Sequence, residues 1–175
     1  MPKKGAKKKT RKKAYLAGPL GFSEAGAYFM NEVVIRRLES LGYEVLNPWT
    51  LTPPSETLRI LKMAHGPKKR NAWRKLNPMI AERNTKAIDR CDFVFAVLDG
   101  VDVDSGTAAE IGYAFAKGKL IVGYRGDFRL SADNEGATVN LQVEFFIRKS
   151  GGEIIAALGK LKNAIKRLGK RSSAV

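Results

Sequence analysis

FVFAVLDGVDVDSGTAAEIGYAFAKGKLIVGY, residues Phe93 to Tyr124, is the stretch that decides the fold. Phe93 to Leu98 is a continuous apolar run, the pattern of a central strand covered on both faces. Leu120 to Tyr124 reads as a second strand. Between them, Thr107 to Ala116 reads as a helix that is apolar on every side except at Glu110. A helix apolar all round is normally buried. A carboxylate on a buried helix needs a charge partner, a strong hydrogen-bond donor or a catalytic task. Asp104 and Ser105 stand where a helix N-cap belongs. Two carboxylates, Asp104 and Glu110, are therefore expected around the first turns of a buried helix. The plainer alternative is that Asp104 only caps the helix and Glu110 reaches water through a gap in the packing.

The pattern repeats outward in both directions. Ala14 to Ala17 is a short buried strand ended by the turn Gly18-Pro19. A helix from Ser23 or Glu24 to Leu41 follows, stopped by Gly42, and then a strand from Tyr43 to Leu46 closed by Asn47-Pro48. Pro53-Pro54 opens a short helix through Leu58, Ile60, Leu61 and Met63. Gly66-Pro67 ends it, a basic loop follows, and Asn77-Pro78 caps another helix from Met79 to Arg90. Arg125 to Thr138 is a polar loop, and Gly152 to Leu168 is a terminal amphipathic helix.

Strands alternating with helices predict a single α/β domain over residues 14–170, a parallel five-stranded sheet flanked by helices in the Rossmann or flavodoxin-like manner. Right-handed crossovers place the strand C-terminal ends on one edge, where such folds bind ligands. The Gly18-Pro19 turn, the Asp99 to Asp104 turn and the start of the Glu110 helix collect there.

The chain has 175 residues, 44% of them apolar, enough for one domain with a proper core. One cysteine, Cys91, excludes an internal disulfide and suits the cytoplasm. Residues 1–13 are basic but lack an apolar segment behind them, so they do not read as a secretory signal; a disordered basic tail is expected. No apolar run approaches the ~20 residues needed to span a membrane. The net charge is +15, with eight Lys/Arg in Lys3 to Lys13, five in Lys68 to Lys75 and six in Lys160 to Arg171. Such charge fits either nucleic-acid binding or solvated faces. The folded middle has no familiar nucleic-acid motif, which favours solvated faces, and a nucleic-acid partner is not expected.

Several chemistries drop out. Gly18-Pro19-Leu20-Gly21 is not the GxGxxG dinucleotide fingerprint, and no GxxxxGK[ST] phosphate loop exists. One histidine and one cysteine cannot build the usual zinc sites, so neither metal nor cofactor is expected. Ser105 is not in a GxSxG elbow, and His65 would be the sole base for a serine triad. What remains is a carboxylate-rich cleft beside Tyr15. Carboxylate pairs are suited to cleaving glycosidic bonds, one trapping the oxocarbenium-like centre while another group handles protons.

Tyr15-Leu16-Ala17-Gly18-Pro19, Asp92 in CDFVFAVLDG, and Asp104-Ser105-Gly106-Thr107 with Glu110, Gly112 and Ala114 together resemble the nucleoside 2-deoxyribosyltransferases. The resemblance runs from about Ala14 to about Phe146. It omits the basic tail and most of the segment Leu51 to Leu76. It implies exchange of bases between 2′-deoxynucleosides and free nucleobases. Glu110 would be the nucleophile that holds a covalent 2-deoxyribosyl group, Tyr15 would orient it, and Asp104 would lie near the sugar 5′-hydroxyl. Asn140 matches a residue lent by a neighbouring subunit to that hydroxyl. This implies a homo-oligomer, at least a dimer, with a hexamer among the options.

Two positions depart from the family pattern. Asn84, eight residues before Asp92, stands where many members have an aspartate facing the nucleobase. An amide can hydrogen-bond a base but cannot act as a general acid. Gln142 stands where some members place a methionine near the nucleophile. Both bear on base preference. Gly18 and Phe22 complete the expected substrate contacts, and Tyr28 is close enough in sequence to touch a base. Asp92 is expected to be structural, and Trp49 and Trp73 to be packing residues or loop anchors.

Three rival readings stand beside this one. A 5′-nucleotide N-glycosidase of the same fold is opposed by Asp104, which at ~4 Å would repel a phosphate by several tenths to ~4 kcal/mol, depending on the effective dielectric. A basic non-catalytic nucleic-acid binder would show salt-dependent binding. A nucleotide-sensing module without chemistry is disfavoured by the presence of both Tyr15 and Glu110.

Overall fold

A computed structural model describes residues 11–130 and 132–169. Five parallel strands, β1 (Lys13–Ala17), β2 (Glu44–Leu46), β3 (Phe93–Val97), β4 (Leu120–Tyr124) and β5 (Ile154–Ile155), lie in the order β2-β1-β3-β4-β5. The chain moves outward from β1 in both directions, so the strand order reverses between β1 and β3. The crevice above that point is where open α/β sheets take ligands.

Alternation along each strand divides the core in two. Tyr15, Ala17, Val94 and Ala96 point to one face, packed by α5 (Pro67–Arg90), α6 (Ser105–Ala116) and α7 (Leu141–Lys149) through Ile88, Ile111, Ala114, Val143 and Ile147. Ala14, Leu16, Phe93, Phe95 and Val97 point to the other. That face is covered by Met30, Val34 and Leu38 and by α8 (Leu161–Gly169). Met30–Ile35 is a π-helical stretch joining α1 (Glu24–Phe29) to α2 (Arg36–Ser40).

Four expectations are corrected. The ladder begins at Lys13, inside the expected tail: the Lys12 carbonyl accepts from the Glu44 N–H and the Lys13 carbonyl from the Asp92 N–H, both at 2.8 Å. The rest of that tail, residues 1–10, lies outside the described residues. The expected basic loop is helical, and α5 runs unbroken for 24 residues through Pro78. Arg74 and Pro78 are both exposed, so the carbonyl that loses its donor at the proline lies on the solvent side. A bidentate pair from Arg83 to Glu56 of α4 (Pro54–Leu61) ties the helix down beyond it. The start of the expected terminal helix is instead strand β5, because Gly123 and Arg125 donate to the Glu153 and Ile155 carbonyls. Finally, α6 is not buried all round. Thr107, Ile111 and Ala114 form its buried stripe, while Ala109 and Ala116 are exposed.

Asp92 is structural, as expected: its Oδ2 accepts the Lys13 N–H at 2.6 Å and fastens the first rung between β1 and β3. Asp92→Ala should lower unfolding free energy by about 1.5 kcal/mol, the low end for a charged acceptor. Urea denaturation would read this as a lower midpoint with an unchanged slope.

Candidate active site

Tyr15 occupies the third position of β1 and is fully buried. Its hydroxyl reaches across to α6 and donates to Glu110 Oε1 at 2.6 Å. The helical register that buries Thr107, Ile111 and Ala114 leaves Glu110 at the border of the stripe, half-buried. The carboxylate therefore has one oxygen held by the sheet and lies in the wall of a cavity of about 440 Å³. That volume suits a small organic ligand.

Asp104 is the N-cap of α6. Its Oδ2 accepts from the Thr107 N–H at 2.9 Å and the Thr107 hydroxyl at 3.0 Å. The same residue lines the cavity. Capping and facing the cavity are thus compatible, because the cap uses one oxygen; no partner to Oδ1 is found among the described residues.

The opposite wall combines aromatic rings and amides. Phe22 and Trp49 meet edge to face, with ring centroids 4.7 Å apart. Gly21 allows this, since a Cβ there would run into the Trp49 indole. Gly18 lies against Val97 at the end of β3; with φ at +155° and a Cβ that would fall 3.0 Å from that of Val97, the position favours glycine. From α5, Asn77, Ile80 and Asn84 share one helix face toward the cavity. Asn84 Oδ1 is buried and has no hydrogen-bond partner among the described residues.

Glu110, Asp104, Asn84, Gly18 and Phe22 therefore share one cavity, with Tyr15 bonded beneath Glu110. Asn140 and Gln142 do not join them. Asn140 is the N-cap of α7, its Oδ1 accepting from Gln142 N at 3.1 Å and Val143 N at 3.3 Å, and Gln142 is exposed. Tyr28 is also exposed and outside the cavity. Trp49 was expected to pack or anchor a loop, yet it lines the cavity, as do Asn77 and Ile80. Trp49 lies in the short helix α3 (Pro48–Leu51), just after β2, so it falls at the strand C-terminal edge; that topological cue was available in the sequence. A wider groove of about 610 Å³ runs along α7, where the Glu144 carboxylate is already engaged by Arg148 and the Thr138 N–H.

Burial pushes the Glu110 carboxyl up to about 7; the Tyr15 hydrogen bond opposes this and the negative charge of Asp104 reinforces it. Burial and the neighbouring Glu110 push the Tyr15 phenol far above its ordinary range, so it stays a neutral donor. A carboxyl whose folded value lies above its unfolded one stabilises the fold when protonated. That contribution is present below about 4.5 and is lost as the pH rises through about 7. Glu110→Gln keeps the shape and an acceptor for Tyr15 while removing the titration. It should leave stability at pH 4.5 nearly unchanged and raise it at pH 8.5 by about 3 kcal/mol, read from urea midpoints at the two pH values.

The family model described as nucleoside 2-deoxyribosyltransferase matches residues 14–142. An uncharacterized protein of Schizosaccharomyces pombe is 44% identical over 55 residues, a match spanning 29% of this chain and 26% of that protein. Among solved structures, a conserved protein from Enterococcus faecalis V583 is 26% identical with a TM-score of 0.66, covering 90% of this chain and 99% of its own. The 2-deoxyribosyltransferase from Bacillus psychrosaccharolyticus superposes with a TM-score of 0.60 at 21% identity, covering 86% and 90% of the two chains. A CMP N-glycosidase from Clostridium botulinum superposes with a TM-score of 0.52 at 20% identity, covering 89% and 98%; at these identities the last two show a shared fold. The chain belongs to the nucleoside 2-deoxyribosyltransferase family.

Proposed function

We propose that the protein transfers the 2-deoxyribosyl group between nucleobases of 2′-deoxynucleosides by double displacement at Glu110. The observation that carries this reading is the half-buried Glu110 carboxylate in the cavity wall, held by the Tyr15 hydroxyl at 2.6 Å. The free oxygen attacks the anomeric carbon as the bond to the base nitrogen breaks, and the base leaves with the electron pair. An acceptor base nitrogen then attacks the same carbon, its N–H proton passing to water, and Glu110 departs as carboxylate. Two inversions restore the β-anomer. Asp104 accepts a hydrogen bond from the 5′-hydroxyl and disfavours a 5′-phosphate. Phe22 and Trp49 flank the base and Asn84 meets its edge. The leaving base takes its proton from water or departs hydrogen-bonded as an anion, because an amide has no proton of suitable acidity.

We further infer an assembly of at least two copies. Asn140 is absent from the lining of its own chain's cavity, and it heads a helix whose Leu141 and Phe145 are half-exposed apolar groups. Sedimentation showing a monomer at every concentration would exclude this. A cytoplasmic setting suits the single buried Cys91, whose thiol burial pushes up to about 11 and keeps protonated.

The test is incubation with 2′-deoxyinosine and adenine or cytosine, followed by chromatography. New deoxynucleoside supports transfer; free hypoxanthine alone, with 5′-nucleotides hydrolysed faster, would replace the reading with that of an N-glycosidase. Glu110→Ala should reduce transfer by several orders of magnitude with the fold intact. Tyr15→Phe should bind substrate normally and turn over about 10- to 1000-fold more slowly. Because the nucleophile must be ionised, kcat/KM should fall with pH below about 7.

Asn84→Asp adds a titrating group where the base edge is proposed to lie. It should change the ratio of purine to pyrimidine rates and move the pH optimum. Unchanged ratios and an unchanged pH profile would show that Asn84 does not meet the base.

A further inference from the structure

Residues 57–81 carry seven lysines and arginines and no acid. Six of these cations, Arg59, Lys62, Lys68, Arg70, Arg74 and Lys75, are exposed, and none makes an ion pair among the described residues. The seventh, Lys69, donates to the Leu61 carbonyl at 2.8 Å and ties α4 to α5. The charge is therefore mounted on a braced helical pair. Carboxylates that pair with cations elsewhere in the fold are absent from this segment.

Its position is set by length. The 24 residues of α5 span about 36 Å, whereas the five residues of β3 span about 17 Å. The helix ends at Arg90, just before β3 begins. Its C-terminal half therefore lies along the sheet, and its basic N-terminal half extends past the strand C-terminal ends, where the cavity opens. The face that gives the cavity Asn84, Ile80 and Asn77 continues, by helical spacing, to the half-buried Trp73 and then to Arg70, about 10 Å beyond Asn77. At the same edge stand Phe22, 76% exposed, and Trp49, 41% exposed.

We propose that the N-terminal half of α5, together with α4, is a binding surface for single-stranded nucleic acid. Its phosphates run along Arg70, Arg74 and the neighbouring lysines, and its leading base stacks on the Phe22–Trp49 pair. A charged track beside exposed aromatic faces is the combination that holds unpaired strands, because only unpaired bases offer a free face for stacking. The surface does not depend on the transferase reading.

The experiment uses the full chain and a fluorescein-labelled oligothymidine of about 20 nucleotides, read by anisotropy over a range of salt. The test variant carries Lys68→Glu, Arg70→Glu, Arg74→Glu and Lys75→Glu; glutamate is a good helix former, so α5 should be kept, which circular dichroism would verify. The control carries the same change at exposed Lys149, Lys160, Lys162 and Lys166, so both variants have equal net charge. The wild-type chain should bind with salt-dependent affinity. The test variant should lose at least tenfold, with the slope of log K against log salt smaller by about 3. The control should lose less than threefold. Phe22→Ala should weaken binding about tenfold. Base exchange on free nucleosides should stay within threefold in the α5 variant. Equal losses in both variants, equal or tighter binding of duplex, or equal competition by thymidine monophosphate would each overturn the proposal.

Discussion

One hydrogen bond, from the Tyr15 hydroxyl to Glu110 Oε1, joins the central sheet to the helix that carries the site's carboxylates. It constrains both partners. Tyr15 must be buried for its hydroxyl to reach α6, and that burial keeps the phenol neutral and therefore a donor. Glu110 must lie at the border of α6's buried stripe, with one oxygen in the bond and the carboxylate in the cavity wall. A turn of α6 by one residue would move Glu110 about 100° around the axis and break the contact. The Asp104 cap fixes where the helix starts, and Thr107, Ile111 and Ala114 fix its rotation. The capping and packing of α6 thus set the chemistry of its acid.

The strand order then determines what faces that acid. Because the order reverses between β1 and β3, the turn after β1 and the turn after β3 open a crevice between them. The connection from β2 to β3 crosses behind it as α5. Three chain segments distant in sequence thereby supply a backbone floor, an aromatic wall and an amide face. Glycine at positions 18 and 21 permits the close approach, the first to Val97 and the second to the indole of Trp49.

The sheet, the Glu110 helix and its Asp104 cap were legible in the sequence because each rests on local signals, namely apolar runs, a capping aspartate and a turn at Gly18-Pro19, whereas the pairing of Tyr15 with Glu110 was implied by the family resemblance. The unbroken α5 was not, since Asn77-Pro78 is a sound helix-start signal. What overrides it is tertiary: α5 is braced by Arg83–Glu56, and the carbonyl stranded by Pro78 lies on the solvent side. Strand β5 was hidden because two residues pairing on a sheet edge leave no periodicity. Apolarity all around α6 misled in a different way. Alanine is apolar but small, and Ala109 and Ala116 are exposed at little cost. Asn140 reads in the sequence as a cap as well as a site residue, and within the chain its Oδ1 caps α7.

The distribution of charge works at two ranges. The chain as a whole is strongly basic, at +15, and attracts anions from a distance. The cavity wall is the reverse, with Glu110 and Asp104 contributing carboxylates from the cap and first two turns of α6. Screening makes the long-range attraction weak beyond about 10 Å, while the short-range repulsion acts where water is partly excluded. The two carboxylates therefore disfavour an anion inside the cavity relative to a neutral ligand. The two carboxylates also oppose each other's ionisation, which raises Glu110 further above the range of an exposed glutamate. A ligand hydroxyl donating to Asp104 would spread its charge and ease the ionisation of Glu110. Under the proposed reading, occupancy of Asp104 by a ligand hydroxyl and ionisation of Glu110 would thereby be linked through a single electrostatic contact.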